Sequence, residues 1–420
     1  MNGSLVADLG LGPEVWLILS LLGCVTLFFK FSRFWSMRNL DLLLLFTLAP
    51  GMMWISGNPV DHPWSAYVWL FVGSLLWLIR CLADVGLRRR PLLEPNLNMS
   101  GLICLSAGIL GLLVVETVSL PVEDGAARNP AEPSGRDDRA PVPPEKTPPA
   151  VKSMIKIAPL PTSLKRELPQ VIVSRVLASL AHVGLVLALV GIGWRWFERP
   201  LTGTAMAACY LLIPYTRMAV VDSGQLIPAA LITTAVLFHD RPALAGALIG
   251  LAAGWIPACL GLIALWAGFY FGRGMPRFTL VAIAVVAGCA VLGSLIPDLA
   301  VWARALGARS VAEAGLLPHF QPRSAASFWV GIDSSYRLPV LIGYLALVIF
   351  VAIWPVNKSL GELVALSAAL LVASQFWYLD KGGTLVMLYI PLVLAMMFRP
   401  TTSTRRAIRF LARRAVSQPT

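Results

Sequence analysis

Thirteen apolar runs of 13–23 residues, most of them separated by short polar turns, constrain this chain more than any other feature of it. They are Val15–Phe29, Leu42–Ile55, Trp64–Ile79, Met99–Leu120, Val171–Gly193, Gly203–Tyr215, Gly224–Phe238, Pro242–Ile256, Pro257–Gly272, Phe278–Ile296, Leu338–Trp354, Leu360–Trp377 and Thr384–Phe398. A bilayer core of about 30 Å takes roughly 17–25 apolar residues as one helix. The longer runs meet that length alone. The shorter ones read as half-helices or re-entrant segments packed against other protein. Composition agrees, with 57% hydrophobic and only 13% charged residues, where a soluble domain carries about 25% charged ones. So few charges cannot cover a water-facing surface for 420 residues. An ordinary soluble enzyme, a disordered tail protein and a nucleic-acid binder are excluded, despite a net charge of +12. The predicted fold class is all-α, a polytopic transmembrane helical bundle of about 11–13 helices with two long loops on its outer face.

The positive charges set the expected orientation, because cytoplasmic loops of membrane proteins are enriched in Lys and Arg. With the N-terminus outside, alternation through the runs leaves nineteen of them inside, from Lys30, Arg33 and Arg38 to the tail. Six lie outside once the long loop is set aside: Arg217, Arg304, Arg309, Arg323, Arg337 and Lys381. The expectation is a multi-pass protein of a cell inner membrane with a cytoplasmic C-terminus. The acidic stretch Met1–Glu14 lacks the basic start of a cleavable leader, so the first run reads as a retained anchor. All six cysteines fall in apolar stretches, none at a metal-ligand spacing, and read as small buried hydrophobes.

Six regions follow. Residues 1–120 form a four-helix membrane region, and 121–170 a proline-rich outer loop with eleven prolines. Residues 171–296 form a central helical core, 297–337 an outer interfacial loop, and 338–398 three more helices. Residues 399–420 are a basic tail, with Arg405, Arg406, Arg409, Arg413 and Arg414 around Ile408, Phe410 and Leu411. That pattern suits a short amphipathic helix on anionic headgroups, or a plain topology anchor.

The most informative stretch runs from Ala207 to Arg277. A helix ends at Pro214–Tyr215, and a polar outer turn holds Arg217, Asp222 and Gln225. The next helix returns to Arg241–Pro242 on the inside. Gly246, Gly250 and Gly254 then stand at four-residue spacing on one helix face, which permits close helix approach in lipid. Trp255–Ile256–Pro257 breaks that helix near the outer face. In order and spacing this resembles the polyprenol-phosphate-sugar-dependent integral membrane glycosyltransferases of the GT-C superfamily. It is most similar to the mannosyltransferase-like family 87. The family's Gly-Gln turn, inner Arg-Pro, Ala-Gly-x-x-x-Gly and proline break are matched by Gly224–Gln225, Arg241–Pro242, Ala245–Gly246 to Gly250, and Pro257. Gly254–Trp255 stands where the family commonly carries a lysine.

The resemblance implies a GT-C-like bundle and a polyprenyl-phosphate sugar as donor substrate, with no separate cofactor. It also implies an acidic residue in the first long outer loop, acting as general base for the acceptor hydroxyl. Glu123 and Asp124 occupy that place, with Asp61 and Asp222 as rival carboxylates; each is also an ordinary solvated loop acid. A lipid phosphate needs cations or donors at the outer interface. Arg217, Gln225, His319, Arg323, Arg337 and Lys381 are the candidates, each of which also serves as an interfacial anchor. Within the membrane, Arg175 and His182 stand seven residues apart on one helix face, as a relay or as helix–helix hydrogen bonding.

No nucleotide-binding loop, dinucleotide fingerprint, His-Glu-x-x-His or nucleophile elbow is present, so soluble nucleotide chemistry is not expected. The expected partners are membrane lipids and the lipid-linked donor, with no nucleic acid. Two other readings stand beside the transferase: a non-catalytic scaffold with a degenerate GT-C fold, and a lipid or solute transporter.

Overall fold

The computed structural model describes residues 13–57, 64–87, 93–119, 162–309, 327–330, 332–379 and 381–400. Among these residues it holds sixteen α-helices and no strand. In chain order they are α1 (Pro13–Phe28), α2 (Met37–Phe46), α3 (Ala49–Gly57), α4 (Trp64–Ala83), α5 (Met99–Ser119), α6 (Thr162–Arg195), α7 (Pro200–Leu212) and α8 (Pro214–Met218). They continue with α9 (Ser223–Leu237), α10 (Pro242–Trp255), α11 (Leu260–Phe269), α12 (Met275–Leu295), α13 (Pro297–Ala305), α14 (Arg337–Ile353), α15 (Leu360–Ser374) and α16 (Val386–Met397).

Among the described residues, five spans are long and apolar enough to cross a membrane alone: Met37–Ser56, Trp64–Gly86, Met99–Thr117, Pro169–Arg195 and Met275–Leu295. Eight shorter apolar helices accompany them. Every one of the thirteen apolar runs therefore meets a helix or a helix pair. Proline starts several of them: Pro200, Pro214, Pro242 and Pro297 each sit in a first turn, where a missing N–H is harmless. At α15 a capping box closes the start, with Ser359 N donating to Glu362 Oε2 at 2.6 Å and Glu362 N to Ser359 Oγ at 3.3 Å.

One boundary is corrected. The proline-rich loop was expected to run to Gln170, yet α6 already begins at Thr162 and carries Pro169 inside it. The segment Leu164–Leu168 is rich in strong helix formers, and their summed propensity outweighs a single proline near the N-terminal end.

Two of the shorter apolar helices are the most buried. All of α16 from Val386 to Met397 is buried, as is α15 from Leu363 to Ser374. A 12-residue helix rises only about 18 Å, less than a bilayer core. It is tolerated because protein, not lipid, surrounds its ends. Outward faces are apolar instead, with Ile18 and Leu22 on α1, Leu112 on α5, Leu280 and Ile283 on α12, and Ile342 and Ile349 on α14 all exposed. Such a surface suits lipid.

The glycine row packs α10 on α12. A Cβ at Gly246 would lie 2.6 Å from the Phe278 carbonyl, and one at Gly250 2.8 Å from the Ala282 carbonyl. Gly254 faces the Cys289 side chain. A second close approach joins Gly193 of α6 to the Gly203 backbone of α7.

Polar contacts gather at two ends. At one, Arg80 pairs with Asp41 and Asp84, Arg399 with Asp84, and Arg195 with Asp240. At the other, Arg217 pairs with Glu116 and Lys381 with Asp222, while Arg309 N donates to Trp255 O. Each pair joins segments that the alternation of apolar runs assigns to the same face. The first is called the basic end below, and the second the distal end.

Candidate functional site

Three of the sequence-derived candidates meet at the distal end. Asp222 is the residue just before α9, and Gln225 lies in the first turn of that helix. Lys381 lies in the loop between α15 and α16. Lys381 Nζ donates to Asp222 Oδ2 at 3.1 Å, and Gln225 Nε2 donates to the same oxygen at 2.8 Å. Asp222 Oδ1 receives no hydrogen bond from the described residues. Gly224 keeps space beside it, since a Cβ there would lie 3.2 Å from Oδ1 and 3.1 Å from the Gly307 carbonyl. The two side chains are 24% and 41% exposed for Asp222 and Lys381, so the pair is reachable from outside the bundle.

The loop that presents the lysine is held from several sides. Lys381 has φ +55° and Gly383 φ +91°. A left-handed backbone is ordinary for glycine and uncommon for lysine. Thr384 donates to the Lys381 carbonyl from both its backbone N (3.0 Å) and its Oγ1 (2.9 Å). Two glutamines then take the next backbone amides. Gln375 Oε1 accepts from Leu385 N at 3.1 Å, and Gln225 Oε1 accepts from Met387 N at 3.2 Å. Gln225 thus orients Asp222 with one end of its amide and anchors the lysine loop with the other. Beside the pair, Ser174 Oγ lies 3.1 Å from Ser223 Oγ, which donates to Leu306 O at 2.8 Å. This ties α6, α9 and the end of α13 together.

The other candidates are placed elsewhere. Arg217 Nε donates to Glu116 Oε1 at 3.0 Å, and its guanidinium lies 4.7 Å from the Trp16 ring centre. Arg337 is 5% exposed; its Nε and Nη2 donate to the Trp377 carbonyl at 3.3 and 3.1 Å. Neither arginine is hydrogen-bonded to the Asp222–Lys381 pair. His182 is fully buried, with Nδ1 2.7 Å from Tyr210 Oη, a bridge between α6 and α7. Arg175 is half-buried on α6. Asp61, Glu123, Asp124, His319, Arg323 and the tail arginines from Arg405 onward lie outside the described residues. Among the described residues no three His, Cys, Asp or Glu side chains gather where a metal ion could sit.

Sequence reasoning passed over Glu116 and Gln375. Glu116 sits near the distal end of an apolar helix, on the same face of the membrane as Arg217, and that shared depth was the available signal. Gln375 closes α15 next to aromatic residues and carried no motif. Neither a family model nor a curated protein nor a solved structure matches the chain.

Proposed function

We propose that the chain is an integral membrane glycosyltransferase that moves a sugar from a polyprenyl-phosphate donor to a lipid or glycan acceptor at its distal end. The reading begins in the resemblance of the Ala207–Arg277 stretch to GT-C enzymes. The observation that carries it is the Asp222–Lys381 pair, in which Asp222 Oδ2 accepts two hydrogen bonds and Oδ1 accepts none from the described residues. On this reading the open Oδ1 takes a proton from the acceptor hydroxyl. The acceptor's hydroxyl oxygen then bonds to the anomeric carbon while the sugar–phosphate C–O bond breaks. The polyprenyl phosphate leaves with the bonding electrons. Lys381 uses one of its three N–H donors on Asp222, leaving two for the phosphate oxygens. Gln225 positions Asp222 and does no chemistry itself.

The test is transfer from labelled polyprenyl-phosphate sugars to membrane lipids by the purified full chain. Asp222→Asn is expected to cut the rate about 10²–10⁴-fold, with melting temperature nearly unchanged. Lys381→Gln should mainly raise the donor KM. Full activity in Asp222→Asn removes the base assignment, and Glu123 and Asp124 become the carboxylates to test. No transfer with any donor from well-folded protein favours the scaffold reading, in which the pair only clamps the α15–α16 loop.

A further inference from the structure

Two turns meet at the basic end, α9–α10 and α11–α12, and three arginines stand on them. Arg241 directly precedes α10, Arg273 lies in the α11–α12 turn, and Arg277 is in the first turn of α12. All three are exposed. None of their side chains has an ion pair or hydrogen bond among the described residues. Asp240, the acid next to Arg241, is taken by Arg195 at 2.8 Å. The turns are fastened to each other. Tyr270 Oη donates to the His239 carbonyl at 2.6 Å, and a Cβ at Gly274 would lie 3.0 Å from the Pro242 ring. Gly272 (φ +71°) and Gly274 (φ +115°) allow the sharp reversal between them. Tyr270 is 3% exposed and its neighbour Phe271 is 71% exposed, so one aromatic pins the turn while the next stands outward beside Arg273.

An apolar strip runs away from these arginines along α12. Arg277, Leu280, Ala284, Ala287, Val291 and Leu295 recur at steps of three and four, and all are exposed, so they share one helix face. The opposite face is the one that meets α10, through Phe278 and Ala282. We infer that this corner binds the headgroup of an anionic phospholipid, with an acyl chain lying along the exposed face of α12. Guanidinium groups with their donors unspent match phosphate oxygens in pairs. The local excess of positive charge selects a lipid with net negative charge over one whose own amine offsets its phosphate. Phe271 adds an apolar ring at headgroup depth, as in basic segments that lie at a membrane interface.

A soluble phosphate compound would satisfy the arginines but leave the strip on α12 unused, so the lipid is the occupant that meets both halves of the surface. Charge placed only to set topology needs no such strip and no fixed grouping of the arginines. The site lies at the opposite end from Asp222 and Lys381 and does not rest on the chemistry proposed there.

Native mass spectrometry of the full chain in detergent tests this with three probes: phosphatidylglycerol, phosphatidylcholine, and glycerophosphoglycerol, the first headgroup without acyl chains. The chain is expected to retain phosphatidylglycerol over phosphatidylcholine and to hold no glycerophosphoglycerol. Arg273→Gln and Arg277→Gln should each weaken phosphatidylglycerol binding about fivefold. Lys30→Gln, which removes an exposed cation from another turn of the same end, should leave it unchanged. Equal retention of the two lipids, or an equal loss in Lys30→Gln, overturns the site and leaves the arginines as topology signals alone. Tight binding of glycerophosphoglycerol overturns the lipid assignment in favour of a soluble anion. A density map of the unaltered chain in phosphatidylglycerol nanodiscs gives a reading that needs no variant. Headgroup density within hydrogen-bonding reach of Arg273 or Arg277 supports the site, and bare protein surface there overturns it.

Discussion

Arg80 bears the heaviest burden of any single side chain at the basic end. Its Nε and Nη2 donate to the two oxygens of Asp41 at 2.6 Å each, and Nη1 donates to Asp84 Oδ1 at 2.9 Å. The Asp84 side chain is wholly buried and that of Asp41 only 8% exposed. Removing the cation takes the shared partner from two buried carboxylates, with Arg399 still 3.5 Å from Asp84. Arg80→Gln is expected to destabilise by about 3–5 kcal/mol, read as a large fall in melting temperature in detergent. Arg80→Lys should recover little, because a point charge cannot reproduce the forked geometry. None of this was plain in the sequence. Asp41 reads there as an isolated acid at the edge of an apolar run, and only the Arg80–Asp84 spacing of four residues hinted at a pair. Asp222, Gln225 and Lys381 were legible for the opposite reason, as polar residues clustered in turns between apolar runs.

His239 gives a pH-dependent expectation at the same scale. It lies in the turn between α9 and α10, with Nδ1 3.0 Å from the Val236 carbonyl and its ring 4.1 Å from Trp196. Burial holds its pKa below the ordinary histidine value, against the opposing pull of the Val236 carbonyl and Asp240. Protonation is harder in the folded protein than in the unfolded chain. Stability is therefore full at neutral pH and falls as pH drops below about 6.5. His239→Gln should flatten that slope between neutral pH and mild acid in melting measurements.

Among the helices, the glycine seam is where pattern and packing agree most closely. Gly246 and Gly250 meet backbone carbonyls of α12, which cannot turn aside, whereas Gly254 meets a cysteine side chain that can. Alanine at these positions should therefore cost unequally. Gly246→Ala and Gly250→Ala are expected to lose about 1–3 kcal/mol through overpacking, and Gly254→Ala clearly less. Equal melting temperatures for the three variants would contradict this seam. The four-residue glycine spacing was readable from sequence, but its partner was not. Nothing in residues 275–295 announces that Phe278 and Ala282 offer their carbonyls. The start of α6 is hidden in sequence by the prolines of residues 121–170, although the helix formers between Thr162 and Pro169 carry it.

For the whole molecule, ion pairs such as Arg80–Asp41 and Arg217–Glu116 sort the chain's turns into two faces. Which face meets the cytoplasm follows from the Lys and Arg bias. The basic end is expected inside. Cysteines introduced at Asp333 and at Arg273, in a background lacking Cys104, provide the check. A membrane-impermeant maleimide applied to intact cells should label the first and spare the second. The reverse pattern would invert the orientation and put the Asp222–Lys381 pair in the cytoplasm.

The paired glutamines bear on how such a bundle can move. Gln375 after α15 holds the amide of Leu385 just before α16, Gln225 on α9 holds that of Met387 in its first turn, and Asp222 grips the lysine of the preceding loop. Alternating access requires two parts of a transporter to rock apart across a central seam. A seam opening between α9 and α16 would have to break the Gln225–Met387 bond in a region where no solvent replaces it. These bonds tie α9, α15 and α16 into one group. Under the proposed transferase reading, that lock suits a fixed reaction chamber rather than a carrier that turns itself inside out.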